Sequence, residues 1–359
     1  MTPQDVLDRA RLVVVTGKGG TGKSTVAAAL AMAGGLRGRS TLVAEVEGRQ
    51  GLAPLFGKRV LGHDEPRVAT RVNGLAVDPE ASLREYLGRY GFAPLARLLT
   101  WAKLTSIITA AAPGLGDVLL VGKVWEAATR PGLNAYELVV LDAPPTGRVV
   151  PFLRAPETVA ELARVGPIRH QADRVKALLD DPKRCAVLLT CLPEELPVTE
   201  TLEAAATLRA AGLPLAGAVV CRVTPDRLGS RASRLAALAK DPAPLAKAAA
   251  EALGGSGGMV PRPDGSRAEP MAAAGPPDGS GPLEPDSLGV LIGEARDRQR
   301  QVNRERRLIK ELAAGLEGLP IAELPLLPDG ASGPEAIRTL AEQLLDSPLA
   351  SPAPTRVHA

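Results

Sequence analysis

Short apolar runs alternate with longer segments of helical character along most of the chain. Five of these runs have the length of buried strands, and they span residues 11–16, 41–44, 138–141, 186–190 and 216–220. Continuous apolar runs separated by helical segments are typical of parallel strands covered by helices on both faces. The pattern therefore predicts an α/β fold with a doubly wound, mostly parallel sheet.

Two longer segments have helical patterns. Residues 23–36 form an alanine-rich helix directly behind the first strand, and residues 80–130 have helical periodicity with a break at Pro113-Gly114. The second segment is long enough to form an inserted helical subdomain. We therefore predict a single domain over residues 1–345 that carries this subdomain.

The last part of the chain is less regular. Residues 254–288 are rich in Gly, Pro and Ser, and they are predicted to be a flexible insertion because they cannot bury enough apolar surface to order themselves. We expect a charged helix at 289–316, an apolar segment punctuated by prolines at 319–327, and a short helix at 333–345. The tail, residues 346–359, is predicted to be disordered.

The glycine-rich stretch between the first strand and its helix has the composition of a phosphate-binding loop. Its glycines let successive backbone N–H groups turn toward one anion, and the following helix adds its positive N-terminal end. In such a loop Lys23 reaches the β- and γ-phosphates of a nucleotide, and the Ser24 hydroxyl ligates Mg²⁺. A chance glycine-rich turn is the alternative, which the flanking strand and helix disfavour. The predicted nucleotide-binding residues of the loop are Gly17, Lys18, Gly19, Gly20, Thr21, Gly22, Lys23, Ser24 and Thr25.

A second lysine, directly after the first glycine, indicates which class of phosphate-binding loop this is. With Lys18 the loop reads K-G-G-x-G-K-S, which resembles the deviant Walker A loop of the MinD/ParA/arsenical-pump ATPases. In that group the signature lysine reaches a nucleotide, often the one bound by a facing subunit. The resemblance implies catalytic roles for Lys18 and Lys23, since such a charge stabilises the transferring phosphoryl group. A solvated loop lysine is the alternative for Lys18.

A second motif follows the third predicted strand. Asp142 ends that strand, where a Walker-B-type carboxylate helps to hold Mg²⁺, although a strand-end turn carboxylate would occupy the same position. The segment D-A-P-P-T-G-R, residues 142–148, resembles switch II of the arsenical-pump and tail-anchored-protein-targeting ATPases, which reads close to D-x-A-P-T-G-H. The resemblance implies that Thr146 and Gly147 sense the γ-phosphate. Arg148 replaces the common His.

A glutamate after the second strand is the candidate for orienting water. Glu47 stands where switch I of the family places an Asp, usually in D-P-A-H, and it could act as a general base. Glutamate is one methylene longer than aspartate, and a misplacement of that size could slow hydrolysis substantially. We therefore expect a slow ATPase, or one whose role is mostly nucleotide-gated binding. A surface turn with two unremarkable acids is the alternative.

Two segments resemble the adenine side of the family's nucleotide site. Cys221 and Arg222 follow the fifth strand, where the family commonly has an Asn that can read the adenine edge. A thiol is a weak donor and acceptor, so base specificity has to come from backbone groups and Arg222. The segment that includes Pro325 and Leu326 resembles the C-terminal adenine-side loop. These four residues complete the predicted nucleotide site.

The resemblance covers roughly residues 10–345 without the insertion, and it looks most like the actinobacterial branch of the anion-transporting ATPases. It implies a P-loop NTPase fold of the SIMIBI type, with ATP and Mg²⁺ as cofactors. Because the chain has one phosphate loop, we expect a homodimer or a heterodimer with a paralogous ATPase. Relatives bind arsenite through thiolates, but Cys185 and Cys191 flank one strand and would lie roughly 20 Å apart. We interpret all three cysteines as small core residues.

Composition limits the partners and the compartment. A formal charge of +3 and 2% aromatic residues in 359 give no reason to propose nucleic acid as a partner. Three cysteines without a C-x-x-C pattern argue against a disulfide framework or a structural zinc site. No apolar run approaches ~20 residues and the N-terminus lacks a signal-peptide core, so we expect a cytoplasmic protein with at most peripheral membrane contact.

Three functional hypotheses remain open. The first is an ATP-hydrolysing dimeric switch that couples its nucleotide state to a hydrophobic client, such as a tail-anchored membrane protein, bound by the segment 80–130. The apolar residues of that segment could equally be subdomain core, because the chain has only 4 Met and few aromatics. The second is a weakly active nucleotide-binding subunit that pairs with a paralogous ATPase. The third is the energising subunit of a membrane anion pump.

Overall fold

One sheet organises the part of the chain that the computed structural model describes, residues 3–46, 48, 50–89, 115–162, 167–229 and 285–346. Its strand order is β3-β4-β2-β5-β1-β6-β7-β8. All neighbouring strands are parallel except β3 and β4, which are antiparallel at one edge. The strands are β1 (Leu12–Gly17), β2 (Thr41–Glu45), β3 (Arg67–Ala69), β4 (Val72–Ala76), β5 (Leu138–Asp142), β6 (Cys185–Cys191), β7 (Leu215–Val223) and β8 (Ile321–Pro325).

Helices cover both faces of this sheet. They are α1 (Pro3–Arg9), α2 (Lys23–Leu36), α3 (Pro79–Arg89), α4 (Leu115–Thr129), α5 (Thr146–Leu162), α6 (Pro167–Leu179), α7 (Glu195–Ala210), α8 (Pro285–Gly315) and α9 (Gly333–Asp346), with a 3-10 turn at Pro54–Phe56. Side chains alternate along each strand, so Leu12 and Val14 of β1 enter one core while Val13 and Val15 enter the other. The prediction of a doubly wound, mostly parallel α/β fold is confirmed.

The two cores differ in the helices that close them. Residues of α4, α5, α6, α7 and the C-terminal part of α8 pack on one face of the sheet. Residues of α1, α2 and α9 pack on the other face, where α2 carries a nearly continuous run of buried alanines. The small side chains let α2 lie close to the strands, and this places the loop before α2 at the carboxyl ends of the central strands.

Three strands were not predicted from the sequence. The strands β3 and β4 are short, β3 is an edge strand with β4 beside it, and β4 contains Asn73 and Gly74, which are poor strand formers. The third is β8, whose residues were described only as an apolar segment with prolines. Its exposed Glu323 interrupts the apolar run, since β8 is the opposite edge strand.

The helical predictions need one correction. The helix predicted at 289–316 begins at Pro285, inside the segment that was expected to be flexible, because proline is well suited to the first turn of a helix. The rest of that insertion, residues 254–284, lies outside the described residues, as does the tail 347–359. Within the predicted helical subdomain 80–130, the structure describes α3 and α4, while residues 90–114 lie outside the described part.

By their contacts the residues group into two compact units. The first is Met1–Val223 with Arg306–Ala359 and contains the sheet, and the second is Thr224–Glu305. In the second unit the buried carboxylate of Glu305 accepts hydrogen bonds from the backbone N–H of Thr224 at 2.7 Å and from its hydroxyl at 2.8 Å. The single domain over 1–345 stays a prediction.

Among the helices that the structure describes, none is both long and apolar enough to cross a bilayer.

An ionic network joins α4 to the β3 edge of the sheet. The Arg130 guanidinium donates to both oxygens of Glu65, at 2.7 and 2.8 Å, and Tyr136 donates to the same carboxylate at 2.9 Å. The buried Lys123 ammonium lies 2.8 Å from Glu85 and 3.3 Å from Glu126. Burial alone would raise the pKa of Glu65, but the hydrogen bonds from Arg130 and Tyr136 outweigh it, so the pKa is lowered. The fold therefore stabilises the charged form of the Glu65 carboxylate.

We expect Arg130→Ala to lower the free energy of unfolding by about 3–5 kcal/mol, because it leaves the Glu65 carboxylate buried without its main partner. The matched control is Arg338→Ala, which breaks an exposed pair with Glu342 on α9 and should cost about 0.5 kcal/mol or less. Denaturant unfolding at neutral pH measures both values. Equal losses in the two variants would contradict a structural role for the network.

Candidate active site

The loop between β1 and α2 has the backbone that anion binding requires. Gly20 and Gly22 have φ angles of +84° and +92°, which favour glycine over every residue with a side chain. Gly22 caps the helix without a side-chain hydrogen bond, so the first turn of α2 presents backbone N–H groups to the loop. The positive end of the helix dipole adds to this. The local geometry matches the phosphate-binding loop predicted from the sequence.

Close packing against β6 fixes the start of this loop. A Cβ at Gly17 would lie 2.1 Å from Thr190 Oγ1, so only glycine fits. The Thr21 hydroxyl donates to the carbonyl of Lys18 at 2.8 Å and lies 2.7 Å from the Thr190 hydroxyl. The hydroxyl of Thr190 also lies 3.4 Å from the carbonyl of Thr16 in β1, the strand that leads into the loop. This chain of hydrogen bonds anchors the loop to the sheet.

The two lysines of the loop have opposite environments. Lys23 is only 6% exposed, and its ammonium donates to the carbonyl of Lys18 at 3.0 Å. The side chain of Lys18 is 58% exposed, and its ammonium pairs with Glu200 of α7 at 2.6 Å. Lys23 is thus held inside the loop, whereas Lys18 lies on the surface in a contact that costs little to break.

The hydroxyl of Ser24 and the carboxylate of Asp142 are hydrogen-bonded next to the phosphate loop. Ser24, in the first turn of α2, donates a hydrogen bond of 2.6 Å from its hydroxyl to Oδ2 of Asp142, which is 2% exposed at the end of β5. Both are oxygen ligands of the kind that Mg²⁺ prefers, and Mg²⁺ commonly needs only one or two protein groups besides phosphate and water. These residues therefore fit a Mg²⁺ site. No group of three or more His, Cys, Asp or Glu suited to a metal occurs in the described part of the chain.

A buried glutamate beside this pair was not identified as a site residue from the sequence. Glu45 ends β2 and lies opposite Asp142 in the parallel register, and it is only 1% exposed. Its Oε2 accepts a hydrogen bond from the backbone N–H of Leu52 at 3.1 Å. The available signal was a carboxylate that directly continues a buried parallel strand, as Asp142 does. The predicted catalytic residue Glu47 lies outside the described residues.

The second motif leads from β5 into a helix. Thr146 and Gly147 form the first turn of α5, and the carbonyl of Pro144 accepts a hydrogen bond of 2.7 Å from the hydroxyl of Thr16 in β1. The guanidinium of Arg148 lies 3.5 Å from the carboxylate of Asp117 in α4. The motif is thereby connected both to the strand that precedes the phosphate loop and to a helix of the predicted subdomain. The γ-phosphate role of Thr146 and Gly147 stays a prediction.

The residues predicted for the adenine side come together at the ends of two neighbouring strands. Val223 of β7 pairs with Pro325 of β8, and the N–H of Leu326 donates to the carbonyl of Val223 at 2.8 Å. Arg222 is exposed and has a φ of +60°, whereas Cys221 is 5% exposed. A Cβ added to Gly22 would lie 3.1 Å from Cys221 Sγ.

This position changes the interpretation of Cys221. Its thiol is buried against the phosphate loop and packs next to Gly22. Burial raises the pKa of the Cys221 thiol to about 12 and that of Cys191 to about 11. The two thiols also enter opposite cores of the sheet, which argues against a shared metalloid site. Contact between a base and the backbone of Cys221 or the side chain of Arg222 stays a prediction.

Known proteins resemble this chain over a large part of its length. The sequence model of the family described as anion-transporting ATPase matches residues 10–171. ATPase BagA of Mycobacterium tuberculosis is 44% identical over 231 residues, which cover 62% of this chain and 68% of the relative. ATPase GET3B of Arabidopsis thaliana is 21% identical over 272 residues, covering 60% of this chain and 65% of the relative. ATPase ARSA1 of Chlamydomonas reinhardtii is 24% identical over 285 residues, which cover 63% of this chain and 37% of the relative.

The sequence similarity to the family covers the residues that lie together around Ser24 in the structure. The family match includes the phosphate loop, Asp142 and the motif that follows it, which are the elements that meet around Ser24 in the structure. The relationship to an actinobacterial relative, expected from the motifs, is confirmed by the mycobacterial match. The chain belongs to the anion-transporting ATPase family, and it is an ATPase.

Proposed function

We propose that this ATPase is a dimeric nucleotide switch that binds MgATP at the β1–α2 loop and couples its nucleotide state to a hydrophobic client or membrane partner. The observation that carries the proposal is the 2.6 Å hydrogen bond between Ser24 and Asp142. It joins the residue that follows the loop lysine to the carboxylate that precedes switch II. The phosphate loop and switch II thus form one site, and a change at the γ-phosphate would alter the contacts of both motifs.

Each residue of the site has a defined task in this proposal. Backbone N–H groups of residues 17–25 bind the phosphates, and Lys23 neutralises the β- and γ-phosphates from inside the loop. Ser24 and Asp142 hold Mg²⁺, which supplies positive charge to the phosphate oxygens when it is bound. Glu47 orients the attacking water and accepts its proton.

Lys18 acts across the dimer in this proposal. A buried lysine could serve only its own loop, but the exposed ammonium of Lys18 is held by a surface ion pair with Glu200. Such a pair contributes at most about 1 kcal/mol, so it opens readily when a second subunit presents a nucleotide. The positive charge of Lys18 then stabilises the transferring phosphoryl group of the facing site.

The coupling to a client would use the contacts of switch II. Arg148, directly after Gly147, reaches Asp117 in α4, and α4 continues into the ionic network around Glu65. A shift at the start of α5 would therefore be transmitted to the helical segment that is the candidate client site. A tail-anchored membrane protein is the client that the resemblance suggests. A weakly active subunit paired with a paralogue, or the energising subunit of an anion pump, would use the same coupling.

We expect the two lysines to separate binding from turnover. Lys23→Ala should weaken ATP binding by about thirtyfold or more, because it removes a charge buried against the phosphates. Lys18→Ala should leave the ATP affinity within about threefold and lower turnover by about a thousandfold, the range found for charges supplied in trans. Calorimetry with MgATP and steady-state phosphate release measure the two effects.

A matched control comes from Lys176 on α6, which is also exposed and ion-paired, with Glu157 at 2.7 Å. Lys176→Ala should change neither affinity nor turnover. Unchanged turnover in Lys18→Ala would eliminate the signature-lysine role, while the role of Lys23 would still stand on its own result.

We expect Glu47→Gln to accumulate the ATP-bound state, because the amide cannot accept the proton of the attacking water. Native co-purification of this variant with MgATP, analysed by mass spectrometry, identifies what that state binds. Recovery of proteins with one C-terminal apolar helix supports the client proposal, and recovery of a paralogous ATPase supports a heterodimer. Recovery of the chain alone, with the wild type hydrolysing ATP, would contradict both and favour a self-contained homodimer.

A further inference from the structure

We propose that the nucleotide site accepts a 6-oxopurine base as well as adenine, so that GTP is a second substrate, and that the side chain of Arg222 binds the O6 and N7 atoms of that base. The inference rests on the proposed function, because it takes the β1–α2 loop as the site of the triphosphate. It adds the identity of the base, which a phosphate loop cannot select, since all nucleoside triphosphates carry the same phosphates.

The first argument is where the two ends of a bound nucleotide lie. The phosphate loop reaches from β5, where Ser24 is hydrogen-bonded to Asp142, to β7, where a Cβ added to Gly22 would lie 3.1 Å from Cys221 Sγ. Mg²⁺ bridges the β- and γ-phosphates, so the terminal phosphates belong beside β5. The nucleoside then leaves the loop toward the end of β7, which is three strand spacings, or roughly 14 Å, from β5.

The second argument is an irregularity near the end of β7. Between Val220 and Val223, β7 has two residues where the paired strand β8 has one. Both valines pack on the same core, although a regular strand would place residues three positions apart on opposite faces. The two residues between them, Cys221 and Arg222, therefore share the other face, which carries α2 and the phosphate loop. The irregularity thus places Arg222 on the side where the nucleoside leaves the loop.

The third argument is the backbone of Arg222 itself. Its φ is +60°, a left-handed conformation that glycine and asparagine adopt more easily than a residue with a long side chain. Arg222 is exposed, and none of the described residues forms a hydrogen bond or an ion pair with its guanidinium. Contacts within the described part of the fold therefore do not explain why an arginine occupies this position, and its guanidinium is accessible to a ligand.

An apolar side chain lies next to the end of β7. The N–H of Leu326 donates to the carbonyl of Val223 at 2.8 Å, which holds the residue after β8 beside that strand end. Leu326 is 40% exposed although it is a large apolar residue. Binding sites for small molecules combine apolar surface with a few polar groups that fix the orientation of the ligand. The ends of β7 and β8 offer both, an apolar surface for the face of a base and N–H donors for its edge.

The hydrogen-bonding groups of arginine determine which base fits. A guanidinium has five N–H donors and no acceptor. Guanine presents two acceptors on one edge, O6 and N7, and an arginine can bind both at once. Adenine presents N7 beside an amino group, which is itself a donor, so the guanidinium can bind only N7. ATP still binds through its phosphates, but the contact between Arg222 and the base favours GTP.

We expect the wild-type chain to bind MgGTP at least as tightly as MgATP and to hydrolyse both. ITP keeps O6 and N7 and should bind within about threefold of GTP, whereas 7-deaza-GTP lacks the N7 acceptor and should bind about fivefold or more weakly. Calorimetry measures the four affinities, and phosphate release measures hydrolysis.

The decisive variant is Arg222→Asn, because asparagine tolerates the left-handed backbone and has both a donor and an acceptor. It should raise the ratio of the Kd for GTP to the Kd for ATP by about tenfold or more, which is the discrimination expected of a bidentate pair. The matched control is Arg71→Asn. Arg71 is also exposed and has a φ of +58°, but it lies between β3 and β4, at the amino end of β4. Its substitution should leave the ratio unchanged.

Arg222→Lys distinguishes binding of the base from attraction to the phosphates. Lysine keeps the charge but lacks the planar fork, so this variant should lose the preference for GTP and keep its affinity for ATP. An unchanged ratio or equal losses for both nucleotides in Arg222→Asn, or 7-deaza-GTP binding as tightly as GTP, overturns the inference. A wild type that hydrolyses MgATP but not MgGTP also overturns it. A wild type that binds neither nucleotide contradicts the proposed function instead.

Discussion

The hydrogen bond between Ser24 and Asp142 depends on the order of the central strands. Asp142 reaches Ser24 because β5 lies next to β1, with Val15 opposite Asp142 in the register. The loop that follows β1 must therefore turn back over the end of β5, and α2 must begin directly above it. A change of register by one residue would turn Asp142 to the other face of the sheet. The site is in this sense a property of the sheet, and the loop sequence alone does not create it.

Tight packing converts this register into a rigid loop. Gly17 has no room for a side chain against Thr190 of β6, and Gly22 lies against the thiol of Cys221 in β7. The loop is thus bounded by three strands, β1, β6 and β7, at their carboxyl ends. In a rigid loop the N–H groups are already ordered when the protein folds. Binding of an anion therefore does not carry the entropy cost of ordering them. The buried thiol of Cys221, whose pKa is raised by burial, belongs to this support.

The parts of the molecule that could be predicted from sequence are those determined by local chemistry. The five apolar strands, α2 and the glycine loop each depend on neighbouring residues, and Asp142 was found because a known motif follows it. The strands β3, β4 and β8 were missed because they are short or interrupted by polar residues, and β3 and β8 are the two edge strands of the sheet. Glu45 was missed for a different reason. Its contacts with Leu52 and with the surroundings of Ser24 join residues from separate parts of the fold, which no local pattern contains.

The two lysines of the loop have contrasting environments although they belong to one short sequence. They are five residues apart, yet Lys23 is enclosed by its own loop while Lys18 extends to Glu200 on the surface. An enclosed ammonium can act only on an anion inside the loop, and its position is set before that anion arrives. An exposed ammonium on a flexible stem gains little from its surface partner and can exchange it for a stronger anion. The difference in burial therefore separates an enclosed lysine, whose reach is limited to its own loop, from a surface lysine that is accessible from outside the chain.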